Sequence, residues 1–557
     1  MNYMKNKAAK IILCILIMVF CFSALKNLAY PLLWNDEAET AMYAKRITEV
    51  GYPKVHNGKQ TIYIVDRPDS QIAINKRFDA YLNSGWVQYY FAAPFVKIAE
   101  NFKDIYTKTA ILRLPFSILG IIGVLLFGLA ITQALKTKRE KYYFYLAYIV
   151  LAIFSVSLVL HLREVRYYSI ALFLSAVLFY GFIRFQVLKN GKRWLYNIIL
   201  VFTLFLLLNT FYPVFIIYLA ALSLYALFSY WKNRKSDVTA GSQLLRDFWP
   251  IILSLVISIP FFIFFRPFQI IKHFRDIEAF TLADYFTNLG TMVIDFTKNQ
   301  FFILAIALKT LTYLLLPNIK SKIANESLKQ KIYLSSISSA FFLIYALLIA
   351  NSAVFFQRYY LILYPLLFVI IILDIFSLKS FLTKKYIDNF TPKISKFFFS
   401  TIGVVSIGIV SFQLPLILNH VYELFHQYKG PLDFAIPYIQ NTYKNPADLK
   451  IATNYEEHGF MYYLNSQILI GQVLNTINQD LELRPDIIFQ RKEHFKEADQ
   501  FFQYYLGQAA YKKVKFSIID YDVNNIPDTN DLAFYHQFKT NYSADPQKQL
   551  EIFVLEP

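Results

Sequence analysis

Eleven runs of mostly apolar residues recur along the 557-residue chain, at approximately 11–33, 111–135, 142–160, 168–187, 195–211, 214–231, 249–266, 300–317, 332–350, 359–376 and 397–419. Each approaches the length a helix needs to cross a hydrocarbon core, and tilt or local thinning accommodates the shorter ones. The pattern predicts a mostly α, polytopic membrane protein with about 11 transmembrane helices. The intervening loops alternate in charge. One set comprises "MNYMKNKAAK", "KTKREK" (136–141), "KNGKR" (189–193), "WKNRKSD" (231–237) with Arg246, "NIKSKIANESLKQK" (318–331) and "LKSFLTKK" (378–385), all rich in Lys and Arg. The other set holds 34–110, "HLREVRYY" (161–168), the Asn209–Pro213 turn, 267–299, "NSAVFFQR" (351–358) and 420–557. By the positive-inside rule the N-terminus is cytoplasmic and the C-terminal segment extracytoplasmic, provided that Asn209–Pro213 is a tight turn between two spans.

Two polar regions are large enough to carry chemistry, 34–110 and 420–557. The first opens with a helical pattern from Asp36 to Val50, turns at "NGK" (57–59), and passes a strand-like "TIYIV" (61–65) and the charged stretch "DRPDSQIAINKRFD" (66–79). It closes on an amphipathic, aromatic-rich stretch, "NSGWVQYYFAAPFVKIAENF" (83–102), for which Ser84 is the expected cap and the membrane surface the expected location. Beyond residue 420, strand-like pieces ("LKIAT", "QILIGQVL", "PDIIF", "VKFSIIDYD", "LEIFVLEP") alternate with helical ones such as 491–512. That alternation predicts a small C-terminal α/β extracytoplasmic domain after a membrane core spanning 1–419.

Composition removes some function classes. The chain is 56% hydrophobic and 18% aromatic, carries only 17% charged residues, and has a mean hydropathy of +0.38. Its net charge of +18 would suggest nucleic acid in a soluble protein, but Lys and Arg concentrate in short inter-span loops where they set topology, so no nucleic-acid partner is expected. Cys14 and Cys21 lie in the first apolar run and read as small packing residues. A cleaved signal peptide shares the basic start and apolar core, but no Ala-x-Ala site stands out and the first run reads as a retained anchor.

Candidate chemistry begins with "YPLLWNDEAETAMYAKRI", where Asp36 and Glu37 follow the first span directly. A carboxylate at a helix N-terminus is favoured by the dipole, and partial desolvation at an interface raises its basicity, as a general base requires. Such a pair by itself reads more readily as a helix cap. Four arginines are expected on the same side: Arg113 in "ILRLPFSILG", Arg163 and Arg166 in "HLREVRYYSI", and Arg358 in "FFQRYYLILYPLL". Guanidinium groups at headgroup depth suit a departing lipid phosphate, whereas any one of them alone reads as snorkelling to bulk lipid. Lys76, Arg77 and Asp79 could contact a headgroup or form a solvated charge run. "NYEEHGF" (454–460) reads as exposed loop.

"WNDEAETAMYAKRI", "WVQYYFAAPFVKIAENFKDIYTKTAILRLPFSILGIIGVLLF" (86–127) and "HLREVRYYSIALFLSAVLFY" (161–180) together resemble the bacterial GT-C glycosyltransferases related to protein O-mannosyltransferases and the lipid A aminoarabinose transferase. The resemblance covers roughly the first 230 residues, with an echo in "RYYLILYPLL" (358–367). It implies a GT-C-like multi-spanning core, a first extracytoplasmic loop with juxtamembrane helices, and a polyprenyl-phosphate-linked sugar as donor. It implies that Asp36 takes the catalytic acid position beside Glu37, that Glu164 is a second acid tied to donor or metal orientation, and that Arg113 and Arg166 match recurring basic positions. The "Lys-Pro-Pro" type motif of relatives is replaced by "YLNSGWVQYY", so contacts there do not transfer.

The expected reaction is an inverting single displacement in the plasma membrane onto an extracytoplasmic lipid, glycan or protein acceptor. Asp36 takes the acceptor's proton while Arg113, Arg163, Arg166 and Arg358 stabilise the departing phosphate. No cofactor is required on this reading and a divalent cation at Glu164 stays possible, because no His, Cys and carboxylate cluster has metal-ligand spacing. Three rivals stay open: a polymerase or ligase of surface glycans, a transporter or flippase of lipid-linked glycans, and a non-catalytic membrane scaffold. The transporter would need buried mid-helix charges or broken helices, and the sequence displays its ionisable residues at one surface.

Overall fold

The structure, a computed structural model, describes residues 2–62, 72–234, 240–277, 279–320, 326–383, 392–427, 429–471, 482–491, 499–520 and 549–556. The chain begins with α1 (Asn2–Leu25) and α2 (Asn35–Val50), passes the short antiparallel pair β1 (Ile74–Asn75) and β2 (Ala80–Tyr81), and enters α3 (Val87–Ala99). It is then almost wholly helical: α4 (Ile105–Thr132), α5 (Lys138–Phe154), α6 (Val156–His161), α7 (Tyr167–Gly181), α8 (Arg193–Leu208), α9 (Tyr212–Asn233), α10 (Ala240–Phe265), α11 (Pro267–Ile277), α12 (Leu282–Asn299), α13 (Phe302–Lys320), α14 (Glu326–Ile349), α15 (Leu363–Thr383) and α16 (Pro392–Phe425).

Among the described residues seven helices are long and apolar enough to cross a membrane: α4, α7 with its π-helical extension to Val187, α9, α10, α14, α15 and α16. An eighth arises if α12 and α13, bent by 94° at their junction, form one broken span. The other three of the eleven apolar runs fall on shorter helices. The apolar part of α1 is Ala9–Leu25, α8 has 16 residues, and α5 stops after 17 where Ser155 (φ −84°, ψ 80°) breaks the helix before α6. The turn at Asn209–Phe211 does separate two helices, α8 and α9, which pack on each other and on α10.

α4 packs closely on α7. A Cβ on Gly123 would come within 3.0 Å of the Phe173 backbone, so only glycine lets the two helices approach this closely. The connection 162–166 reaches α2 through the Val165 N–H, which donates to Glu37, and through Arg166, which meets Asp36 and Glu39. Ser84 does not cap α3; it accepts from the Gln88 side chain at 2.7 Å. The Asn209 carbonyl accepts the Val87 N–H at 3.0 Å, which removes the need for a side-chain cap. Of "TIYIV", only Thr61 and Ile62 lie within the described residues, with Thr61 bridging His56; Asn57 Oδ1 accepts from the N–H groups of Lys59 and Gln60 in the "NGK" turn.

After α17 (Leu432–Thr442), a five-stranded sheet is built from β3 (Lys450–Thr453), β4 (Gln467–Ile470), β5 (Ile487–Phe489), β6 (Tyr511–Ile519) and β7 (Gln549–Leu555), in the order β4-β3-β5-β7-β6. β3 runs parallel to β4 and β5, with α18 (Glu457–Leu464) crossing from β3 to β4, while β7 pairs antiparallel with β5 and β6. β3, β4, β5 and β7 coincide with expected strand-like pieces, whereas β6 begins at Tyr511, inside the stretch expected to be helical. The expected helix at 491–512 is described from Asp499 to Gln508.

Segments that charge alternation assigns to one side of the membrane touch one another. Asp36 meets Arg166 and Arg358, and Lys59 Nζ donates to the Ala447 carbonyl. On the other side, Lys331 pairs with Glu140, and Arg193 reaches the Arg246 carbonyl and Asp247.

Candidate active site

Rotation along α2 separates the two acids of the motif. Glu37 is fully buried and bonded on every side. Its Oε1 accepts from Arg113 Nε at 2.9 Å and the Val165 N–H at 2.9 Å, and its Oε2 from Arg113 Nη2 at 2.5 Å and the Trp34 N–H at 3.4 Å. Arg113 spends its remaining donors on the carbonyls of Leu28 (3.0 Å), Pro31 (2.7 Å) and Leu32 (3.4 Å). The expectation that Arg113 faces a phosphate gives way to a different placement: its fork ties the α1–α2 connection to α4. Arg163 is drawn inward similarly, donating to the Lys26 and Asn27 carbonyls at 2.9 and 2.8 Å, where it satisfies the free C-terminal end of α1. Burial, with Arg113 nearby, pulls its guanidinium down to about 10, still cationic at neutral pH.

Asp36 points the other way. Its side chain is 28% exposed and its Oδ2 lies 3.3 Å from Arg358 Nη2 and 3.4 Å from Arg166 Nη2. Arg166 is anchored through Nη1 to Glu39 Oε2 at 2.7 Å, Thr40 Oγ1 at 3.2 Å and the Asp36 carbonyl at 3.1 Å. Arg358 sits among aromatic rings, 4.2 Å over Phe356, 5.0 Å over Trp34 and 5.8 Å over Tyr168. Burial opposes the charge on Arg358, and Tyr168 and Asp36 outweigh it, so the guanidinium is held above its usual range. Among the described residues, three buried donors on the arginines and on the indole beneath Arg358 have no hydrogen-bond partner: Arg166 Nε, Arg358 Nε and Trp34 Nε1. A buried donor without a partner costs about 1–3 kcal/mol, so this set is expensive as pure architecture and suited to an anion with several oxygens.

Glu164 is fully buried with its Oε1 3.0 Å from His161 Nδ1, while among the described residues Glu164 Oε2 and His161 Nε2 have no partner. Among the described residues no group of three or more His, Cys, Asp or Glu side chains could hold a metal ion. Lys76 and Arg77 are exposed, with Arg77 5.2 Å over the Phe78 ring, and Asp79 binds His56 through its N–H and ring nitrogen; none of these three bonds to the Asp36 group.

Several participants lay outside the sequence reading. Glu39, three residues beyond Asp36 and on the same helical face, was findable from spacing. Asp295 of α12 was not. Its Oδ1 accepts from the Gln357 side chain at 2.6 Å, and its Oδ2 from the hydroxyls of Tyr360 (3.1 Å) and Tyr364 (3.4 Å), gripping the 3-10 turn that carries Arg358. "NYEEHGF" is not exposed loop: Asn454, Glu456, Glu457 and His458 are all buried, because this stretch is wedged between the sheet and α2. Ionisable residues are not confined to one surface either. Lys309 of α13 meets Asp374 of α15 at 3.0 Å, and Ser335 of α14 donates to Asp374 at 2.6 Å, well inside the helices. No family model matches the chain, and no curated protein matches it.

Proposed function

We propose that this protein is an integral-membrane glycosyltransferase that moves a sugar from a polyprenyl-phosphate donor to an extracytoplasmic lipid, glycan or protein. The observation that carries the reading is Asp36 itself. It is a partly exposed carboxylate shared by two guanidinium groups, and among the described residues both of these keep an Nε–H without a partner, as does the Trp34 indole under Arg358. In this reading the donor's phosphate takes up those hydrogen bonds and draws Arg358 and Arg166 away from Asp36. Asp36 then accepts the proton of an acceptor hydroxyl or amine as that atom attacks the anomeric carbon. The bond from the anomeric carbon to phosphate oxygen breaks, and the polyprenyl phosphate leaves with its charge matched by the two arginines. Attack opposite the leaving group inverts the anomeric centre.

The eleven-span map, with a cytoplasmic N-terminus and an extracytoplasmic C-terminal domain, belongs to the same proposal. It is supported by the way segments of like assignment meet in space. Reporter fusions at residues 190, 235 and 550 test it, and a cytoplasmic 550 would overturn it. The function is tested by comparing lipid-linked sugars and envelope glycans from cells carrying wild type and Asp36→Asn. The expected result is accumulation of donor and loss of one glycosylated product; unchanged profiles with full expression would refute catalysis.

A flippase is favoured over the proposal by one observation, the Lys309–Asp374–Ser335 group inside the helix bundle. Lys309→Met separates the two readings. Movement of lipid-linked sugar across vesicles would stop on the flippase reading, whereas transfer to acceptor persists on ours.

A further inference from the structure

The stretch entering α2 is extended and belongs to no sheet, so its polar groups need partners from elsewhere. Those partners come from the far end of the chain. The Leu32 N–H donates to Asp433 Oδ2 at 3.3 Å, the Leu33 N–H donates to the Tyr463 hydroxyl at 3.1 Å, and Asn35 Oδ1 lies 2.8 Å from His458 Nδ1. The intervening Trp34 N–H goes to Glu37. Each anchor is itself fixed. Asp433 also accepts the Gly430 N–H at 2.8 Å, the Tyr463 hydroxyl is 2.5 Å from that of Thr109 in α4, and His458 Nε2 is 2.6 Å from the Ile62 carbonyl. All three anchors are buried, and α18 packs along α2.

We propose that the C-terminal α/β unit is a positioning clamp in which Asp433, Tyr463 and His458 hold Leu32–Asn35 so that Asp36 faces Arg166 and Arg358. The three are positioning residues, since they act on Asp36 through the backbone and Asn35. The consequence for turnover rests on the role proposed above for Asp36; the clamp itself does not.

The test uses full-length protein in nanodiscs carrying Cys14→Ser, Cys21→Ser and Leu33→Cys. Leu33 is fully buried, so a soluble maleimide should label position 33 slowly. Adding Asp433→Ala, Tyr463→Phe and His458→Ala together should raise the labelling rate at least about tenfold, with single variants in between and His458→Gln closer to the parent than His458→Ala. Labelling within about twofold of the parent, in a monodisperse triple variant with unchanged helical circular dichroism, would overturn the clamp. If the triple variant does not fold, three single variants that all leave the rate unchanged would do the same. In the Asp36-dependent transfer assay the single variants should lower kcat and leave the donor KM in place. Unchanged glycans in the Asp36→Asn strain would remove the enzymatic reading and leave the labelling result standing.

Discussion

Asp36 and Glu37 are adjacent in sequence, yet their surroundings differ in kind. Successive helical residues are turned by about 100°, so one acid faces the α4–α7 packing and its neighbour faces the open side. Glu37 meets one fork-shaped guanidinium and two backbone N–H groups, with its hydrogen-bonding capacity filled and no access to solvent. Asp36 shares two guanidinium groups that have donors to spare, and it reaches solvent. The pair shows that acids with the same motif position can be told apart by what their partners have left to give: a saturated pair holds the fold, an unsaturated one can exchange partners.

That contrast can be broken by removing its parts in turn. Arg113→Met should have the largest effect, because it leaves Glu37 charged, buried and unpaired; a destabilisation of about 3–5 kcal/mol is expected, read as loss of folded protein on size exclusion in detergent. Asp36→Asn should leave the amount and melting temperature of the protein in place and lower transfer by about 10²–10⁴-fold, the usual contribution of a positioned base. Equal stability losses in both variants would erase the distinction between the acids. Arg358→Lys keeps the charge and loses the planar stack over Phe356 and Trp34. A roughly tenfold fall in transfer is expected, corresponding to about 1–2 kcal/mol of cation–π interaction.

A pH-dependent effect concerns Asp433, which burial pushes up to about 7 in spite of hydrogen bonds from Gly430 and Leu32. A carboxyl whose folded value lies above its unfolded one stabilises when protonated. Its contribution is complete below about 4 and is lost as pH rises through about 7. Melting temperature should therefore decline between pH 5 and 8 in the parent, and the decline should flatten in Asp433→Asn. An identical slope in both proteins would show that Asp433 does not titrate in this window.

Hydropathy located the long helices because burial in lipid leaves an unbroken apolar signature, and strand-like alternation located the C-terminal sheet. The seven membrane-length helices of the structure each overlap an expected run. The runs at 142–160 and 195–211 also fall on helices, α5 and α8, but run length registers apolar content and not where a helix stops, as α5 does at Ser155. In the site, Asp36, Arg166 and Arg358 were legible from residue type and topological side. Arg113 and Arg163 carry the same signature and differ only in which carbonyls lie within reach, which depends on the path of the α1–α2 connection. Lys309 stayed hidden because an isolated charge in an apolar run gives no hint of its partner on another helix. Asp295 stayed hidden because it falls in 267–299, read as a loop, while its partners come from 357–364.

The grip on Leu32–Asn35 has a consequence for biosynthesis. Its partners lie 401, 430 and 423 positions downstream, so a growing chain exposes the Asp36 segment long before the residues that seat it have been made. A product truncated within the helical bundle would thus leave Leu32–Asn35 without Asp433, Tyr463 and His458.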